Sequence, residues 1–172
     1  MSKVINIVGY SSNVGKTLLI ENLIKELKSR GYSIATIKHD VHGFDIDKKG
    51  KDTYKHREAG AETVVISSKN RFAMIKELNE EIEFNDIIKL LLDKDIILVE
   101  GYKNSNLRKI EVYRSGVSDK IITPKEKIIA VASDINLNLE NIKSEDIKNY
   151  IINHEEVHPT LTKEQEKAIA YA

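Results

Sequence analysis

Apolar and polar positions along the chain fall into two alternating rhythms. Val4-Ile5-Asn6-Ile7-Val8 is a short β-rich run that stops at Gly9, and it predicts a buried strand. From Gly15 to about Arg30, Leu18, Leu19, Leu23, Ile24 and Leu27 recur at helical spacing with charges between them, and Gly31 ends the helix. Ser33–Lys38 predicts a second strand, and the glycine- and charge-rich stretch Val41–Lys51 a loop. Asp52–Gly60 has the acid and the glycine expected at the start and end of a short helix, Asp52 serving as its cap. Glu62–Ser67 and Phe72–Leu78 read as strands. Phe84, Ile87, Ile88, Leu91 and Leu92 share one face of an amphipathic helix over Phe84–Leu92. Ile96-Ile97-Leu98-Val99 is a strongly apolar strand bounded by Glu100-Gly101; Lys109–Tyr113 and Ile128–Val131 are further strands, and Ser144–Ile152 a helix.

Strands alternating with helices predict an α/β fold: a P-loop NTPase-like, mostly parallel sheet with helices on both faces. In such sheets ligands bind at the carboxyl ends of the strands. The chain has 172 residues, which suits one nucleotide-binding domain over residues 1–153. Residues 154–172 have a thin apolar face after Pro159 and are expected to form a loosely docked or partner-dependent tail. Lys plus Arg and Asp plus Glu are both 27, so the net charge is zero, which argues against a nucleic-acid binder or a polybasic membrane anchor. Cys is absent, which removes disulfides, thiolate catalysis and Cys-ligated metals. No signal-peptide pattern opens the chain and no apolar run is long enough to span a bilayer, so a cytoplasmic protein is expected.

The richest chemistry follows the first strand. Gly9-Tyr10-Ser11-Ser12-Asn13-Val14-Gly15-Lys16-Thr17 is a phosphate-binding loop between a strand and a helix. Backbone N–H groups from Gly9 through Ser11, Ser12, Asn13, Val14 and Gly15 to the first helical residues, Lys16 to Leu18, would surround a phosphate at the positive end of the helix. The Lys16 ammonium would reach β- and γ-phosphate oxygens, and the Thr17 hydroxyl would ligate Mg²⁺. Five residues separate Gly9 from Gly15 where four are usual. Either the loop is one residue longer, as in dethiobiotin synthetase, or Tyr10 takes the first-glycine position.

Other candidates stand at strand ends. Glu100 could hold Mg²⁺ or orient a water, or be an ordinary terminal acid. Asp40 could be a second magnesium carboxylate, and Lys38 and His39 could touch a phosphate; His39 and His42 could equally be surface histidines. Asp45, Asp47 and Asp52 lie on a loop that is either solvated or a switch ordering over γ-phosphate. Arg57 could lie over a phosphate or pair with Glu58 or Glu62. Lys103, Arg108 and Lys109 form a positive patch suited to a second anion, or a solvated loop. Ser133 and Asp134 could read guanine N1–H and its amine, or form a turn.

Taken together, the P-loop, Ile-Lys-His-Asp at 37–40, Gly-Lys-Asp-Thr-Tyr…His-Arg-Glu-Ala-Gly-Ala at 50–61 and Val-Glu-Gly-Tyr-Lys…Lys-Ile-Glu-Val-Tyr-Arg at 99–114 resemble the molybdopterin-guanine dinucleotide biosynthesis adapter family, MobB. Ala130-Val131-Ala132-Ser133-Asp134 also fits. The resemblance implies a weak, Mg²⁺-dependent GTPase that binds GTP, forms an intertwined homodimer and assists the guanylyltransferase attaching GMP to molybdopterin. On this reading Lys16, Glu100 and Asp40 would be catalytic, and Lys103 would face the molybdopterin phosphate. A P-loop kinase or ATP-dependent ligase, and a phosphate-binding regulatory module without catalysis, are the competing readings.

Overall fold

The structure is a computed structural model, and it describes residues 2–137 and 148–151. The chain divides into two compact units, the first built from Met1–His39 and the chain from Leu91 onward, the second from Asp40–Leu90.

The first unit is built on a parallel sheet. Its strands are β1 (Lys3–Gly9), β2 (Ile34–Lys38), β5 (Ile96–Glu100), β6 (Lys109–Tyr113), β7 (Ile128–Ser133) and β8 (Lys148–Ile151), in the order β2-β5-β1-β6-β7-β8. Every neighbouring pair among them is parallel. β1 is central because both its faces are apolar enough to be buried, its last five residues being fully inside. Side chains alternate along each strand. Ile5, Ile7, Ile96, Leu98, Ile110 and Val112 therefore gather on one face, where α1 (Lys16–Ser29) packs Ile20, Leu23 and Leu27 against them. Leu18, read from its spacing as part of the apolar face, is instead 41% exposed, because it falls on the first turn beside the loop. The helix ends as its glycine predicts, with the N–H of Gly31 donating to Lys28 and that of Tyr32 to Leu27.

The opposite face of β1 and β6 carries Asn6, Lys109 and Glu111, each 1% exposed or less. Returning chain partners them, save Asn6 Oδ1, which has no hydrogen bond among the described residues. Asn6 Nδ2 donates to the Tyr102 carbonyl and Ser105 Oγ, and Lys109 Nζ to the Ser105 and Leu107 carbonyls at 2.7 and 3.0 Å. The Glu111 carboxylate accepts the N–H groups of Ile122 and Thr123, both at 2.8 Å. Charged groups so buried need such partners. Lys109 is thus no part of a surface patch, and burial lowers its pKa, with Lys127 adding to the effect.

The second unit holds α2 (Asp52–Glu58), an antiparallel hairpin of β3 (Thr63–Ser68) and β4 (Arg71–Lys76), and α3 (Phe84–Lys89). Asp52 is the first helical residue of α2 rather than its cap, a place Lys51 takes without a side-chain bond. α3 is one turn shorter than the amphipathic pattern predicts, and Leu90 and Leu92 beyond it are exposed. Of the helix expected over Ser144–Ile152, residues 148–151 form β8, where pairing with the open edge of β7 outweighs helical spacing. Residues 144–147 and 152, and the expected tail, lie outside the described residues. No helix among the described residues is long and apolar enough to cross a membrane.

Candidate functional site: a cation-lined loop at the end of β1

Strand β1 runs through Gly9, which pairs with Val112. Tyr10 is therefore the first residue after the strand, and Tyr10–Val14 span the distance from Gly9 to Gly15. Gly9 is required for packing: a Cβ there would lie 2.5 Å from Val14 Cγ2 and 3.1 Å from the Val112 carbonyl. Val14 is 2% exposed and joins the core, so its side chain anchors the loop from below. Asn13 and Gly15 take left-handed conformations, φ 63° and 109°, which curl the chain before α1. Gly15 caps that helix, its carbonyl accepting the Leu19 N–H.

Cations from several elements meet the loop's carbonyls. Lys16 Nζ donates to Ser11 at 2.9 Å, Lys103 Nζ to Tyr10 at 3.2 Å and Arg114 Nη1 to Asn13 at 3.3 Å. Bonds of this kind hold the carbonyls engaged and fix the loop's shape. Burial pulls the Lys16 pKa down; Glu100 opposes this, and Lys103 and Lys38 add to it. Tyr10 is tied by its hydroxyl, which donates to Asp119 Oδ2 at 2.7 Å; that bond raises the phenol's pKa. Ser11 Oγ donates to the Ser12 carbonyl. Thr17 is exposed on the first turn.

The neighbouring strand ends frame this cup. Lys38 and Glu100 are register partners at the ends of β2 and β5, and the His39 N–H donates to the Glu100 carbonyl at 2.9 Å. The His39 ring stacks on Tyr102, centroids 4.3 Å apart. Gly101 makes this approach possible, with φ 100° and a would-be Cβ only 2.9 Å from His39 Cβ. At the end of β7, buried Ser133 accepts the Ile135 N–H, and Asp134 Oδ1 accepts the Ser115 N–H at 2.8 Å.

Asp40, Asp52 and Arg57 belong to the second unit. Asp40 accepts the N–H of its own neighbour His42, and exposed Asp52 lies 4.0 Å from Lys55. Arg57 meets Asp45 at 3.3 Å, Asp47 at 3.8 Å and Glu77 at 3.0 Å, rather than the expected Glu58 or Glu62. No group of three or more His, Cys, Asp or Glu side chains among the described residues is arranged to hold a metal by itself. The donors suit Mg²⁺ differently: the Thr17 hydroxyl and the Glu100 carboxylate are hard oxygens at a phosphate loop, and this ion completes its shell with phosphate oxygens and water.

Sequence reasoning did not find Tyr10, Asp119 or Tyr102 as site residues, nor assign Arg114 a role. Tyr10 and Asp119 are 109 positions apart, and only the adjacency of β1 and β6 joins them.

A parallel sheet with a glycine-turned, cation-lined loop between its central strand and first helix defines a P-loop α/β protein of the NTPase-like class. The family model of molybdopterin guanine dinucleotide synthesis protein B matches residues 4–134, and the chain belongs to that family, MobB. The chain is 39% identical over 142 residues to the molybdopterin-guanine dinucleotide biosynthesis adapter protein of Escherichia coli strain K12, covering 75% of this chain and 77% of that one. It is 33% identical over 139 residues to the Haemophilus influenzae protein of the same name, covering 79% and 77%. The crystal structure of a molybdopterin-guanine biosynthesis protein B superposes with a TM-score of 0.63 at 23% identity, over 98% of this chain and 96% of the other. That likeness shows the fold.

Proposed function

We propose that this protein is a GTP-binding adapter in molybdopterin guanine dinucleotide biosynthesis, a weak GTPase at most, which assists the guanylyltransferase that attaches GMP to molybdopterin. One observation carries the reading: Lys16, Lys103 and Arg114 all bond to the carbonyls of a single strand-to-helix loop. Such a concentration of positive charge, with α1 opening at the same point, suits a polyphosphate. Thr17 and Glu100 would hold Mg²⁺, which when bound neutralises charge on the β- and γ-phosphate oxygens. Lys16 binds those oxygens, Lys38 and His39 border them, and Glu100 orients a water. Lys103, on the exposed segment after β5, is also within reach of a second anion such as the molybdopterin phosphate. Asp134 has one carboxylate oxygen on Ser115 and a second available for the guanine edge.

Adapter function by a homodimer is supported by the β3–β4 hairpin. Val65, Phe72 and Met74 alternate onto one of its faces and are 52%, 66% and 52% exposed.

Removal of the ammonium tests the reading. Lys16→Ala is expected to abolish GTP binding in calorimetry while the thermal unfolding transition stays in place. Retained GTP affinity in that variant, or tighter binding of ATP than of GTP by the parent protein, overturns it.

A further inference from the structure

Arg114 stands at the end of β6, on the opposite side of β1 from the groups that surround the Lys16 ammonium. The charges acting on Lys16 are Glu100, Lys103 and Lys38, all from β2, β5 or the segment after β5. The strand order β2-β5-β1-β6-β7 places Arg114 instead between the loop and Asp134. Its backbone is fixed in a turn: its N–H donates to Ser118 Oγ at 3.1 Å, and its carbonyl accepts the Val117 and Ser118 N–H groups. The same connection is fastened to the P-loop by Tyr10–Asp119 and to β7 by Ser115–Asp134. The guanidinium donates to the Asn13 carbonyl through Nη1, and no carboxylate among the described residues pairs with it. A half-buried guanidinium carries five donors, so most remain for a ligand. Unpaired positive charge on the rim of a phosphate loop calls for an anion, and a planar fork suits phosphate oxygens.

We propose that Arg114 is a nucleotide-binding residue whose guanidinium, preset against the Asn13 carbonyl, holds α- and β-phosphate oxygens on the nucleoside side of the cup. This rests on the guanine-nucleotide reading given above. Position decides which phosphates are involved. The γ-phosphate belongs to the β2 and β5 side, with Glu100 and Lys38, and the base to the β7 side, with Asp134. Arg114 lies between them, so it serves GDP and GTP alike.

The test measures the affinities of GTP and GDP, by calorimetry, for the full-length parent, Lys16→Ala, Arg114→Ala, Arg114→Gln and Arg114→Lys, with thermal unfolding of each. Loss of the charged bond is expected to weaken GTP and GDP by the same factor, about tenfold, in Arg114→Ala. Arg114→Gln, which keeps an N–H donor but no charge, should match it, and Arg114→Lys should recover part of the loss. Unchanged affinity in Arg114→Ala, a loss confined to GTP, or parent-like binding by Arg114→Gln each overturns the proposal. Should the alanine variant fail to fold, the Gln and Lys variants decide by the same criteria. A parent protein that binds no guanine nucleotide fells the functional reading and this inference together. Loss of binding in Lys16→Ala beside unaffected Arg114 variants fells this inference alone.

Discussion

Single residues set the shape of the cup, and several do so by lacking atoms or by being hidden. Gly101 combines left-handed backbone with a contact of 2.9 Å between its would-be Cβ and His39, and 3.0 Å to the His39 carbonyl. Gly101→Ala must therefore bear both conformational strain and a clash with backbone. It is expected to lose ~2 kcal/mol of stability, measured by denaturant unfolding, and to disturb the His39–Tyr102 stack beside Glu100. A parent-like denaturation midpoint would contradict this. At Lys109 the sequence misleads for an instructive reason: with Lys103 and Arg108 it reads as part of a positive patch, yet its side chain lies with Asn6 and Glu111 on a buried face of the sheet. Here that face is covered by the chain from 101–108 and 118–124, whose carbonyls and N–H groups are what the buried side chains bind. A polar residue in a strand shows only that it needs a partner, and the partner here is backbone, which leaves no mark in the sequence.

Elements were legible where local signals agree. α1 was fixed by helical spacing and Gly31, and its observed bounds, Lys16–Ser29, follow those signals closely. β5 and β7 announce themselves by unbroken apolar runs and β1 by a run interrupted only at Asn6, the mark of strands buried on both faces. β8 was not legible, because its residues also satisfy helical spacing and the edge of β7 decides between the two. The hairpin was seen as two strands, but its isolation as a separate two-stranded sheet was not. A two-stranded sheet with exposed apolar side chains on one face is marginal alone. If that face is covered by a second copy of the chain, a charge placed in it must weaken the assembly. Met74→Glu, opposite Val65 in the ladder, is expected to shift the protein from dimer to monomer in light scattering at micromolar concentration. An unchanged molar mass for this variant would remove the hairpin from the interface.

At the scale of the molecule, burial is uneven. Ile7, Ile97, Val99, Val131 and Ala132 in the parallel sheet are fully inside, whereas Val64 is the one buried large hydrophobic between Asp40 and Leu90 among the described residues. Amides in buried, densely paired strands open only with the whole domain, while poorly covered segments open locally. Hydrogen exchange should therefore be slowest in β1, β5, β6 and β7 and orders of magnitude faster in the β3–β4 hairpin of the monomer. Equal protection of the two sheets in a monomeric variant would contradict the division into a firm and a weakly buried unit. What the sequence alone determined was the class of fold, the strand-to-helix loop that runs into Lys16 and Thr17, and the family, because these depend on short-range periodicity and on residues adjacent in the chain. The tertiary structure decided that Gly9 is packed against Val14 and Val112 at the strand's end, that Lys109 is buried, and that Arg114 and Asp119 reach the cup. Those facts follow from β6 lying beside β1, a pairing of segments a hundred residues apart that local patterning cannot specify.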